Sequence, residues 1–188
     1  MRFLTFISVA LGVLATTSAA QDCPEAPDHT EQVATLIAEI QKSESEAAAR
    51  AISNQLWELW TDAPDEWSQT MLDRGMTRRE SWDLLGALKE FNTLVEYCPE
   101  YAEGYNQRAF VNYLRHDFVA SLKDLDVAIE LSPNHVAALS GRALALLGLK
   151  RIDEAREALS KALMLNPWLP ERTLADPGGV LEQQGEDI

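Results

Sequence analysis

The chain has little with which to do chemistry. Its 188 residues include only two cysteines and three histidines, His29, His116 and His135. No histidine has a second histidine, cysteine or carboxylate at a metal-ligand spacing such as HExxH, so no metal site is expected. His116 is expected in a solvated turn, and His135 as part of the turn before a helix. GxSxG, a Walker loop, GxGxxG and an EF-hand loop are all missing, and so is a CxxC pair. Carboxylate pairs are plentiful, but among 30 acidic residues they indicate nothing about acid–base catalysis. No catalytic residue and no cofactor is assigned; the chain reads as a non-enzyme. Positive charge is scarce as well: 16 Lys and Arg against 30 Asp and Glu leave a net charge of −14. Such a surface repels phosphate backbones and anionic membranes, which excludes nucleic acid as the expected partner. Beyond the first residues no segment approaches 18 apolar residues, so no membrane insertion is expected of the rest.

What is present begins with a leader. Residues 1–20, MRFLTFISVALGVLATTSAA, place Arg2 before an apolar stretch over 3–15, with Ser18 and Ala20 at the −3 and −1 places of a cleavage site before Gln21. This predicts a cleaved export signal and a periplasmic or secreted chain of about 168 residues, one domain's worth. Hydrophobic residues at 46% and charged residues at 24% match a globular composition.

The fold signal is a period. Pro99, Pro133 and Pro167 are 34 residues apart, each closing an apolar helical stretch: FNTLVEYCP, LDVAIELSP and LSKALMLNP. Counting back gives repeats 68–101, 102–135 and 136–169. Small residues recur at the eighth place (Gly75, Ala109, Ala143) and the twentieth (Ala87, Ser121, Ala155), and bulky ones at the twenty-fourth (Phe91, Leu125, Leu159). Small residues let two helices approach, the bulky one fills the gap beyond them, and proline ends the second helix. Asn134 is placed to cap the helix that follows.

The period, small residues and closing proline resemble the tetratricopeptide repeat (TPR). The resemblance implies an all-α, right-handed TPR helical solenoid whose repeats must stack to bury their apolar faces. Residues 31–67 read as a degenerate helical pair ahead of it: Val33, Leu36, Ile37 and Ile40, then Ile52, Leu56, Leu59 and Trp60, follow helical spacing. Ser43 with Glu46 suggests a capping box between the two helices. Residues 21–30 form an N-terminal segment and 170–188 a loose tail. The outer face of the last helix, around Leu159, Leu163 and Leu165, needs a cover, either Trp168 and Leu169 or another molecule.

In such a stack Cys23 and Cys98 lie on one edge, separated by roughly 20 Å, two helix spacings. About five or six extended residues at ~3.3 Å each reach that far. In an exported chain this makes Cys23 and Cys98 a candidate disulfide.

The resemblance also implies a concave binding groove built from the first helix of each repeat. Its candidate partner-binding residues here are Leu72, Met76, Arg79, Asn106, Gln107, Phe110, Tyr113 and Leu144. Some relatives grip a peptide carboxylate with a clamp of Lys, Asn and Arg, but at those places stand Leu72, Met76, Gln107, Ala137 and Gly141. That clamp is rejected. Apolar walls with a few polar groups suit an extended peptide or a partner helix. Arg74, Arg108 and Arg142 recur at the seventh place, facing Glu90, Asp124 and Ala158 respectively. The first two are expected to form ion pairs within their repeats; Arg142 has no such acid and is the candidate anion contact. Trp57 and Trp60 are expected in the core.

Trp57-x-x-Trp60, AEGYNQRA over 102–109 and HVAALSG over 135–141 further resemble a group of exported bacterial TPR proteins, which implies fold and location but no mechanism. The combined expectation is an adaptor or assembly factor of the periplasm or cell envelope that binds another envelope protein or a peptide. The alternative is a structural protein that forms a homodimer through the last repeat's uncovered face.

Overall fold

A computed structural model describes residues 22–182; the expected signal at 1–20 lies outside the described residues. Within them the fold is all α. Helices α1 (Thr30–Gln41), α2 (Glu46–Trp60), α3 (Glu66–Glu80), α4 (Leu84–Tyr97), α5 (Ala102–Leu114), α6 (Phe118–Leu131), α7 (Val136–Gly148) and α8 (Ile152–Leu165) precede a 3-10 turn at Pro170–Leu174. Helices α3 to α8 make three pairs, each packed on the next, as the repeat implied.

The turn inside each pair repeats one backbone form. Trp82, His116 and Lys150, 34 residues apart, adopt left-handed φ of 63°, 60° and 60°. The Trp82 amide donates to the Arg79 carbonyl and the Asp83 amide to Arg78; Lys150 and Arg151 do the same to Leu147 and Leu146. This closure satisfies carbonyls that a helix end otherwise leaves bare. Asp83 and Asp117 then cap the second helix, accepting from the Gly86 and Ala120 amides. Two caps differ from the sequence reading. The His135 ring, not Asn134, caps α7 by accepting from the Ala138 amide. Ser45 caps α2, because the Ser43 hydroxyl donates back to the Glu39 carbonyl.

The eighth and twenty-fourth places trade volume. Gly75 meets the larger Phe91, whereas Ala109 and Ala143 share a core with Leu125 and Leu159, and all six lie in the pairs' interiors. A Cβ on Gly75 would overlap the Phe91 ring, which is itself wholly buried. Gly75→Ala is therefore expected to destabilise by about 1 kcal/mol, since overpacking costs about 1–3 kcal/mol and the gain in helix propensity is about 1 kcal/mol. Adding Phe91→Leu should recover part of that loss. Urea unfolding that shows Gly75→Ala to be stabilising would refute the steric match.

The N-terminal pair departs from the expected arrangement. Helices α1 and α2 do pair, but α1 packs on α8, from the far end of the solenoid. Val33, Ile37, Ile40, Ala49 and Leu56 share one buried cluster with Val136 of α7. Gln41 Nε2–H donates to the Met164 carbonyl at 2.7 Å, Asn166 Nδ2–H to Ser53 Oγ at 3.3 Å, and Arg172 pairs with Glu46 at 3.0 Å. Trp168 and Leu169 join this cluster rather than covering the outer face of α8. The reason lies in α3, EWSQTMLDRGMTRRE, whose apolar residues Met71 and Leu72 are already buried in its own pair. Apart from the exposed Trp67, its outer side is polar and gives α2 little to cover, while Val136 and the residues after α8 supply an apolar surface.

The tail is not loose over residues 170–182. Leu181 is fully buried, its amide donates to the Leu174 carbonyl at 2.7 Å, and both side chains pack with Ala155 and Leu159. Leu159, expected on an open face, is only 1% exposed. Cys23 and Cys98 are bonded, with Cα atoms 5.1 Å apart. Cys98 closes α4, and Cys23 and Ala26 pack beside Phe91, Leu94 and Tyr101, so the bond fixes the segment that leads into α1.

Candidate partner-binding cavity

A cavity of about 310 Å³ lies over α5 and α7. Arg79 enters it from α3, Trp57 from α2, and Leu169, Pro170 and Glu171 from the turn after α8. Arg79, Asn106, Gln107, Phe110, Tyr113 and Leu144, all expected in the groove, line it. Leu72 and Met76 do not. Leu72 is wholly buried and Met76 packs against the same core around Phe91, because these positions of the first repeat turn toward α4. Ser121 and Leu125 of α6 and Ala137, Ser140 and Gly141 of α7 complete the lining. The volume sits at the lower end of ligand pockets, which run from about 300 to 1,000 Å³.

A chain of polar contacts ties the cavity to the docked hairpin. The Arg79 guanidinium donates to Gln107 Oε1 and stands 4.9 Å over the Phe110 ring. Burial pulls its pKa below the ordinary arginine value, opposed by the charges of Glu80 and Glu103. Gln107 and Asn106 donate to the Glu103 carboxylate, which also accepts from His135 Nε2 at 2.8 Å. The His135 ring stacks on Trp60 with centroids 4.2 Å apart. Since His135 Nδ1 accepts from the Ala138 amide, the hydrogen-bond pattern assigns the proton to Nε2. His135 is thus a wholly buried, paired side chain as well as a cap. Nearby, the Tyr101 hydroxyl donates to the Trp60 carbonyl at 2.8 Å, and burial pushes that phenol up.

The arginine ladder holds in two repeats and reverses in the third. Arg74 meets Glu90 at 2.9 Å and Arg108 meets Asp124 at 2.6 Å. Arg142 is not left without an acid: its Nε–H donates to Asp126 at 2.7 Å, on the preceding pair. With Ala158 in place of an acid ahead of it, the side chain reaches back to α6, and it stands outside the cavity lining. The anion contact expected of Arg142 is thus made by Asp126.

Sequence reasoning missed Trp57, Ser121, Leu125, Ala137, Ser140, Gly141, Leu169, Pro170 and Glu171 as lining residues. Trp57, expected in the core, is 37% exposed. Only the tryptophan carried any signal, an exposed aromatic three residues from Trp60 on a short amphipathic helix.

The comparisons agree with this architecture. The tetratricopeptide repeat family model matches residues 136–167. Human tetratricopeptide repeat protein 36 is 32% identical over 146 residues, 67% of this chain and 76% of that protein. A homologue of it from Nematostella vectensis is 43% identical over 65 residues, 35% of this chain and only 36% of the relative's length. Among solved structures, the TPR2B domain of yeast Sti1 in complex with pHsp70 has a TM-score of 0.53 at 27% identity, covering 54% of this chain and 81% of that one. The Arabidopsis OM64 TPR domain has a TM-score of 0.57 at 22% identity over 59% of this chain and 92% of that one, a likeness of fold. Repeat period, helix pairing and relatives converge: the chain belongs to the tetratricopeptide repeat family.

Proposed function

We propose that this protein is an interaction module that seats a peptide or partner segment in the cavity over α5 and α7, and that it works after export as an adaptor or assembly factor of the cell envelope. The observation that carries the reading is the half-exposed Phe110, 45% accessible at a cavity whose apolar walls include Tyr113, Leu125 and Leu144. Exposed aromatics over apolar pockets are typical anchors for a partner's side chains. The yeast Sti1 domain, similar in fold, is itself complexed with pHsp70, which supports binding by this type of solenoid. Export rests on the leader over 1–20 and fits the Cys23–Cys98 bond, since disulfides persist in oxidising compartments. The covered face of α8 speaks against the self-associating alternative, because Leu174 and Leu181 occupy the surface it requires.

A photocrosslinker at Tyr113, read in the native cell, tests this. The expected result is a discrete adduct with an envelope protein that is lost on Phe110→Glu. An adduct between two copies of this chain, formed also by a probe at Leu163, would overturn the adaptor reading in favour of self-association.

A further inference from the structure

Three of the cavity's polar atoms are buried and have no hydrogen-bond partner: Ser121 Oγ, Ser140 Oγ and Glu171 Oε2. Ser121 is 1% and Ser140 5% exposed. Interiors pair such groups almost always, because each one left unpaired costs about 1–3 kcal/mol. Their gathering in one cavity marks a place built to meet polar atoms from elsewhere. Two charges enter the same space from different repeats. Arg79 comes from the first pair, and its side chain has one carboxylate within salt-bridge reach, Glu80 at 4.0 Å on the exposed side. Glu171 comes from the turn after the last pair and has no salt bridge among the described residues. The two do not pair with each other.

We propose that the cavity takes a short zwitterionic peptide with apolar side chains, its carboxylate at Arg79 and its ammonium group at Glu171. This rests on the groove-binding reading above and narrows it to a ligand class. An anion alone would leave Glu171 unmatched, and a cation alone would meet Arg79 as a like charge; a zwitterion complements both. The hydroxyls of Ser121 and Ser140, each able to donate and accept, suit the amide between the two ends. Trp57, Phe110, Leu125, Leu144 and Leu169 receive the side chains. A volume of about 310 Å³ has room for a peptide of two or three residues but not for a partner helix. A ligand of zero net charge is also not repelled by a chain carrying −14.

Calorimetric titration of the mature chain with Leu-Leu, N-acetyl-Leu-Leu and Leu-Leu-amide tests this. Leu-Leu is expected to bind. Acetylation should weaken it by about tenfold, as should Glu171→Gln, since a charge-assisted hydrogen bond is worth that order of affinity. Acetylated peptide should then be indifferent to Glu171→Gln, because both changes remove one contact. Amidation and Arg79→Gln should behave in the same way, and the amide reads the Arg79 contact even where the variant unfolds. Equal affinity for free and blocked peptides overturns the proposal, and so does an absence of Leu-Leu binding at millimolar concentration. If Leu-Leu fails while the Phe110-dependent crosslink persists, only this inference is overturned. If the crosslink is lost as well, the groove reading goes with it.

Discussion

Glu103→Ala should lower the unfolding free energy by about 3–5 kcal/mol, because it strips the shared acceptor from three buried donors and each one left unpaired costs about 1–3 kcal/mol. Glu103 is 1% exposed and accepts from three buried donors, His135 Nε2, Asn106 Nδ2 and Gln107 Nε2. Alanine would leave all three without that acceptor. The damage should extend in two directions. Gln107 loses its anchor and no longer orients Arg79 in the cavity, and His135 loses the partner that sets its ring against Trp60. Urea unfolding followed by far-UV circular dichroism reads the stability. Glu103→Gln, which keeps an acceptor oxygen at the same place, should lose less than Glu103→Ala. A loss below about 1 kcal/mol for Glu103→Ala would mean that the network is not the clasp the contacts describe.

Cys23→Ser should cost nearly as much, about 4 kcal/mol, because the bond closes a loop of 75 residues and removes that much chain entropy from the unfolded state. At about 2–4 °C per kcal/mol for a chain of this size, the melting temperature should fall by roughly 8–16 °C. Cys23 is the better test position, since Cys98 is 1% exposed and a serine there would add a buried hydroxyl. A reductant should lower the wild-type melting temperature to the variant's value and leave the variant unchanged. A wild-type protein indifferent to reductant would refute a stabilising bond. The functional consequence follows from position: the segment held by Cys23 leads into α1, so reduction should loosen the hairpin that carries Trp57 over the cavity.

The repeats were legible because their signals are local and recur. A 34-residue step in Pro99, Pro133 and Pro167, with small and bulky residues at fixed places, specifies helix pairs that touch only their neighbours. The ion pairs of Arg74 and Arg108 were legible for the same reason, since each spans 16 residues within one repeat. So were Phe110, Gln107 and Leu144, which lie on the face that the pattern turns inward. Arg142 was misread because its acid stands behind it, 16 residues back on α6, where the repeat pattern had placed none. Leu72 and Met76 depart from the expected groove because the first pair takes them into its own core around Phe91.

By itself, the sequence determined the three helix pairs, their turns, the acidic surface and the amphipathic character of α1 and α2. It also required that the apolar stripes of those two helices be covered. Only the tertiary structure decided what covers them. Contacts such as Gln41 with Met164, Ser53 with Asn166 and Glu46 with Arg172 join residues 123, 113 and 126 apart. An apolar stripe is the same whether it faces α3 or α8, because burial is non-directional and carries no address. The polar outer side of α3 and the apolar surface at Val136, Leu165 and Trp168 settled the choice. That choice brings Trp57 to the cavity already bordered by Glu171, and makes part of an open solenoid face into a walled cleft.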